Sequence, residues 1–130
     1  MRIWVQVFSS PERNPDFHGA LARHLHSVAD PGVEIEVHGT RKGGLGEQFR
    51  FFQAIDTPDI IENVLKCRDA AGDQRYDAFV SLNSTDPALN EAREVLDIPV
   101  LGFELHWMIV YFALSMIFAF ALRKRFNVTL

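Results

Sequence analysis

Residues 76–102, YDAFVSLNSTDPALNEAREVLDIPVLG, decide the fold of this 130-residue chain. Residues 78–82 form a short apolar run, too short for a buried helix and rich enough in Phe and Val for a strand. The run breaks into a polar turn, Asn83-Ser84-Thr85-Asp86-Pro87. Asp86 is placed to cap a helix and Pro87 to open it, since proline at the first helical position gives up only an N–H that has no partner there. Leu89, Ala92, Val95 and Leu96 then share one helical face, and Ile98-Pro99-Val100-Leu101 begins another strand. Strand, polar loop, helix and strand make a βαβ unit, whose crossover is expected to be right-handed. Ligands of open parallel sheets sit at the carboxyl ends of strands, so residues 83–86 are the first place to look for chemistry.

Upstream, residues 3–8 read as the first strand, dominated by Val, Ile and aromatics. They run into Ser9-Ser10-Pro11, which lies beside the Asn83 loop if both strands are central and parallel. Residues 17–28 carry Leu21, Leu25 and Val28 at helical spacing and end at Asp30-Pro31-Gly32, a strong stop. Val33, Ile35 and Val37 alternate with Glu34, Glu36 and His38, the pattern of a half-exposed strand near a sheet edge. Residues 39–52 read as a loop with Gly43, Gly44 and Gly46 but no Lys-Ser/Thr pair, so no phosphate-binding pattern. It reads as a mobile connection and candidate lid anchored by Phe49, Phe51 and Phe52. Thr57-Pro58 opens a further helix with Ile60, Ile61, Val64, Leu65 and Ala71 inward. Cys67 falls at the edge of that face, as a buried thiol acting as a small hydrophobe. The fold class is therefore α/β, an open, mainly parallel sheet with helices on both faces.

Composition narrows the function classes. Seventeen acidic against thirteen basic residues give a net charge of −4, with no electrostatic footprint for nucleic acid. One cysteine excludes a disulfide framework and any multi-cysteine zinc site, and suits a reducing cytoplasm. The opening MRIWVQVF has no signal-peptide pattern, so the expected location is cytoplasmic. His18, His24 and His26 share one helix but point to several faces, so no metal site is expected.

Residues 107–122 carry no charge, and Arg123-Lys124-Arg125 follow. Counted from Leu105, this run is at the low edge of the roughly 18–20 residues a spanning helix needs. The basic cluster would keep the carboxyl side in the cytoplasm and leave residues 1–104 outside, with no signal to deliver them. The expectation is a helix buried between the sheet and a further domain or a second subunit, with membrane association through residues 105–122 as the lesser alternative. The division is then an α/β domain at 1–104, followed by the apolar helix and the start of a next strand at 105–130. A strand starting at residues 126–130 reads as a truncated protein whose second domain is missing.

Together, MRIWVQVFSSPE, VADPGVEIEVHG, IDTPDIIENVLK and above all the 76–102 stretch resemble the aspartate/glutamate racemase superfamily, and within it the hydantoin-racemase-like branch. ALRKRFNVTL looks like that family's next helix end and strand, whereas residues 103–121 are longer and more apolar than the family's helix. The resemblance implies an amino-terminal Rossmann-like or flavodoxin-like half of a two-domain isomerase, with the active site between the domains. Each domain of such an enzyme supplies one cysteine. One thiolate takes the α-proton of a small carboxylate or hydantoin substrate, and the other thiol returns a proton to the opposite face. Loop amides and hydroxyls hold the carboxylate and the developing enolate, and no cofactor or metal is implied.

Two departures follow from the same resemblance. Aligned on Asp86-Pro87, the family's first cysteine falls at Asn83, and a carboxamide can orient and donate but not act as the base. The second cysteine belongs to the other domain, and Cys67 is too far from the strand ends to replace it. The chain is accordingly expected to be inactive alone, with Asn83, Ser84 and Thr85, together with Ser9 and Ser10, forming the anion- and enolate-binding side of the cleft. Simple turn capping is the competing role for these residues. Glu104 reads as a helix-start carboxylate. Two other readings stay open: a malonate-decarboxylase-like lyase that needs a single thiol, or a non-catalytic binding module that uses its apolar helix to hold a membrane or partner.

Overall fold

The computed structural model describes residues 1–43, 49–103, 110 and 112–118. Strands and helices alternate as β1 (Arg2–Gln6), α1 (Pro15–Val28), β2 (Glu34–His38), α2 (Arg50–Asp69), β3 (Ala78–Ser81), α3 (Leu89–Val95) and β4 (Val100–Leu101), with a single 3-10 turn at Gly72–Gln74. The sheet order is β2-β1-β3-β4 and every pairing is parallel. The chain steps one way from β1 to β2 and the other way to reach β3 and β4. Right-handed crossovers therefore place α1 on one face and α2 with α3 on the other. The expected open α/β sheet is what forms, with its switch of direction between β1 and β3.

The core lies between the sheet and the pair α2/α3. Trp4, Phe8, Ile60, Val64, Cys67, Tyr76, Phe79, Ala88, Ala92 and Leu96 make one cluster. Phe79 and Ile60 are fully buried, each contributing about 1.5–3 kcal/mol. By strand alternation Val5 and Val7, both buried, face the α1 side. β2 is an edge strand of half-exposed residues, as its alternation implied.

Three helices depart from their sequence reading. α1 begins at Pro15, with Asp16 favoring its positive amino end, and Val28 is exposed at its far end. α2 begins at Arg50, so Phe51 and Phe52 are helical rather than loop anchors, and Pro58 lies inside the helix. Nearby, the Thr57 hydroxyl donates to the Gln53 carbonyl at 2.6 Å. The inward face is Asp56, Ile60, Asn63, Val64 and Cys67. Ile61, Leu65 and Ala71 are exposed instead. Asn63 sets this phase, because its amide donates to the Gly39 carbonyl at 2.9 Å and to Gln6 at 3.2 Å. α3 begins at Leu89, so Asp86 and Pro87 neither cap nor open it. Asp86 and Ala88 adopt left-handed backbone angles, φ 42° and 60°, and the Asp86 side chain is buried. A Cβ at Gly102 would come within 2.6 Å of its carboxylate, so that carboxylate is packed into the fold instead of capping the helix. Ala88, Ala92 and Leu96 are the buried face and Val95 is exposed.

Residues 112–118 are helical, and Phe112, Leu114, Met116, Ile117 and Phe118 are exposed. No helix among the described residues is long and apolar enough to cross a membrane. Glu104, the basic cluster 123–125 and the strand expected at 126–130 lie outside the described residues.

Candidate functional site

The carboxyl ends of β1 and β3 build a polar lip at the switch point, where open α/β sheets hold their ligands. Gln6 and Ser81 are paired in register. One residue on, Leu82 donates its N–H to the Gln6 carbonyl at 2.8 Å and Val7 donates to the His38 carbonyl at 2.8 Å. The next rung is made by a side chain, the Phe8 N–H donating to Asn83 Oδ1 at 3.0 Å. The loops after β1 and β3 are thus neighbours, as expected. This bond also fixes the amide orientation, because Phe8 needs an acceptor and only Oδ1 can provide it.

The loop after β2 closes the floor. The Thr40 hydroxyl donates to the Phe8 carbonyl at 2.6 Å and accepts the Gly43 N–H at 2.9 Å, while Ser10 donates its N–H to the Gly43 carbonyl at 3.2 Å. A Cβ at Gly43 would run into the Phe8 carbonyl and the Thr40 hydroxyl, so only glycine fits. Of the glycine loop, Gly43 is thereby tied to the lip; Gly44 and Gly46 lie outside the described residues.

Ser10 is fully buried, yet its hydroxyl has no hydrogen-bond partner among the described residues. The same holds for the buried Ser81 hydroxyl and for Nδ2 of Asn83. Ser9 is half-buried, with His18 Nε2 3.0 Å from its hydroxyl and 3.0 Å from its carbonyl oxygen. Ser84 and Thr85 are exposed. Of the five expected residues, Ser9, Ser10 and Asn83 stand on the adjoining loops after β1 and β3, and Ser84 and Thr85 are exposed beyond them. Uncommitted buried donors are what a carboxylate or enolate oxygen requires.

A thiol is not among them. Cys67 lies in the core, and burial pushes it up to about 11, so it is protonated at neutral pH. It lines a pocket of about 350 Å³ with Arg68, Arg75, Tyr76, Asp97 and neighbours, at the amino ends of β3 and β4. That is the opposite end of the sheet from the lip.

Sequence reasoning passed over Thr40 and weighed His18 only as a metal ligand. The strand-end rule, applied to β2 as it was to β3, points to Thr40 two residues past His38. Nothing local marks His18.

The chain is similar in structure to allantoin racemase from Klebsiella pneumoniae, with a TM-score of 0.60 and 33% identity over 78% of this chain. It spans 39% of that protein's length. No family model matches the chain, and no curated protein does.

Proposed function

We propose that this chain, which carries the fold of the hydantoin-racemase-like branch of the aspartate/glutamate racemase superfamily, forms the carboxylate- and carbonyl-gripping wall of a cofactor-independent isomerase site and holds no base of its own. The observation that carries this reading is the set of buried donors from Ser10, Ser81 and Asn83 around the switch point, which have no partner among the described residues. The similar solved structure is named for racemisation of allantoin, which suits a small ring-carbonyl or carboxylate ligand.

Racemisation next to a carbonyl needs a base for the α-proton, donors for the charge that moves onto oxygen, and an acid on the opposite face. The lip supplies the second of these. Held in a buried position before the reaction starts, such donors stabilise the enolate oxygen without first having to reorganise. Asn83 stands where the resembling enzymes keep their first cysteine. Its Oδ1 is committed to Phe8, and a carboxamide accepts no proton near neutrality. Proton transfer therefore falls to a thiol on a facing domain.

Solvent-deuterium exchange tests the assignment. The 130-residue chain, incubated in D2O with hydantoins and amino acids, incorporates no deuterium at the α-carbon. Incorporation that follows the protein through purification and is lost in Asn83→Ala contradicts it.

A further inference from the structure

We infer that His18 is a positioning residue for Ser9, keeping the Ser9 hydroxyl hydrogen available to the lip as a donor for a carboxylate or ring-carbonyl oxygen; this use rests on the function proposed above. His18 Nε2 lies 3.0 Å from Ser9 Oγ and 3.0 Å from the Ser9 carbonyl oxygen. A carbonyl oxygen only accepts, so the second contact is a hydrogen bond only when Nε2 carries the proton. A bare Nε2 would set its lone pair against those of the carbonyl, at a residue only 9% exposed, where water screens little. The geometry thus selects the Nε2–H form, with one proton shared between the carbonyl and Oγ. Ser9 Oγ is then an acceptor toward the ring, and its own hydrogen is left for another partner.

The surroundings hold the ring in place. A Cβ at Gly39 would come within 2.8 Å of His18 Cε1, and the Phe17 ring stands edge-on at 5.7 Å. The His18 N–H donates to the Asn14 carbonyl at 3.2 Å and the Asn14 N–H to the Ser10 carbonyl at 2.9 Å, so the first turn of α1 is tied to the same loop. Without the imidazole, the Ser9 hydroxyl falls back on neighbouring backbone carbonyls, as serines in turns do.

Long-range proton–nitrogen NMR spectra of the full chain, labelled at histidine, read the tautomer; the His18 signal is assigned by its loss in His18→Gln. The expected result is a proton on Nε2. A proton on Nδ1 with Nε2 bare overturns the inference. Titrations with acetate and with hydantoin read the consequence. His18→Ala and Ser9→Ala each weaken binding by about tenfold, the size of one hydrogen bond. His18→Gln, whose amide N–H reaches the same place, recovers affinity to within about threefold of the wild type. Wild-type affinity in a His18→Ala chain with a well-dispersed amide spectrum also overturns it. If neither probe binds the unaltered chain, the function assigned to the lip fails, while the tautomer still decides the role of His18.

Discussion

Two polar regions of the same sheet differ in how densely their side chains bond one another. Across the α2 face of β1 and β2, the Arg2 guanidinium bonds Glu36 and lies 4.6 Å over the Tyr76 ring, and the Tyr76 hydroxyl donates to Glu36 at 2.5 Å. His38 stacks on Trp4 with ring centroids 3.4 Å apart, its Nε2 3.3 Å from Glu36. Beside them the fully buried Gln6 accepts from Trp4 and from Asn63, each at 3.2 Å, and donates to the Val7 carbonyl at 2.8 Å. At the lip, which begins level with Gln6, Ser10, Ser81 and Asn83 keep donors with no partner among the described residues. Each such orphan costs about 1–3 kcal/mol. The first region bonds most of its polar atoms, leaving Arg2 Nη1 and His38 Nε2 without a hydrogen-bond partner among the described residues. The second keeps open donors on three residues around the strand ends. Dense side-chain bonding marks a region that holds the fold together, and the open donors gathered around the strand ends support a lip shaped for something else to bind.

The largest expected effect comes from breaking the denser network. Tyr76→Phe removes the bond to Glu36 and destabilises by about 1–2 kcal/mol, at the lower end for a charged acceptor because Glu36 is partly solvated. Chemical denaturation measures it, and affinity at the lip stays unchanged. Acid takes the same network apart in two stages. Burial holds His38 below its ordinary range, outweighing the opposing pull of Glu36. The unfolded chain therefore takes up that proton first, and stability falls as pH drops below about 6.5. Glu36 is held below the ordinary carboxylate range by the Tyr76 hydroxyl and by Arg2. Its contribution is present above the unfolded carboxyl value and is lost as pH falls through the lower folded one. Thermal melts from neutral to acid pH show both stages, and His38→Gln removes the upper one alone.

The smallest effect on stability belongs to the lip. Ser10→Ala deletes a buried donor that has no partner to lose among the described residues, so stability changes by no more than about 0.5 kcal/mol or rises. Affinity for acetate or hydantoin falls all the same. A large loss of stability would mean that the Ser10 hydroxyl has a partner after all.

The sheet was legible because its strands are short apolar runs set off by turn residues, and residues 76–102 carry one whole crossover. Helix starts were harder to read. Pro58 reads locally as a beginning, yet α2 runs through it, since packing of Ile60, Val64 and Cys67 outweighs the proline. Asp86 reads locally as a cap, yet it turns inward beside Gly102. Asn83 and the two serines were visible from the strand-end rule and the family resemblance. What could not be read was the state of their hydrogen bonds. Ser10 is an ordinary turn serine in sequence, and its burial depends on Thr40 and Gly43 arriving from another strand. The exposure of Ser84 and Thr85 has the same origin, because a five-residue turn gives no sign of which side faces the sheet.

The most direct test is a titration of the nitrogen-labelled chain with acetate and with hydantoin, followed amide by amide. Shifts concentrated at residues 8–10 and 81–83 are the predicted result. Shifts centred instead on Arg68, Arg75 and Asp97 at the opposite end of the sheet, or none at all, would contradict a lip built to hold an acid or carbonyl group.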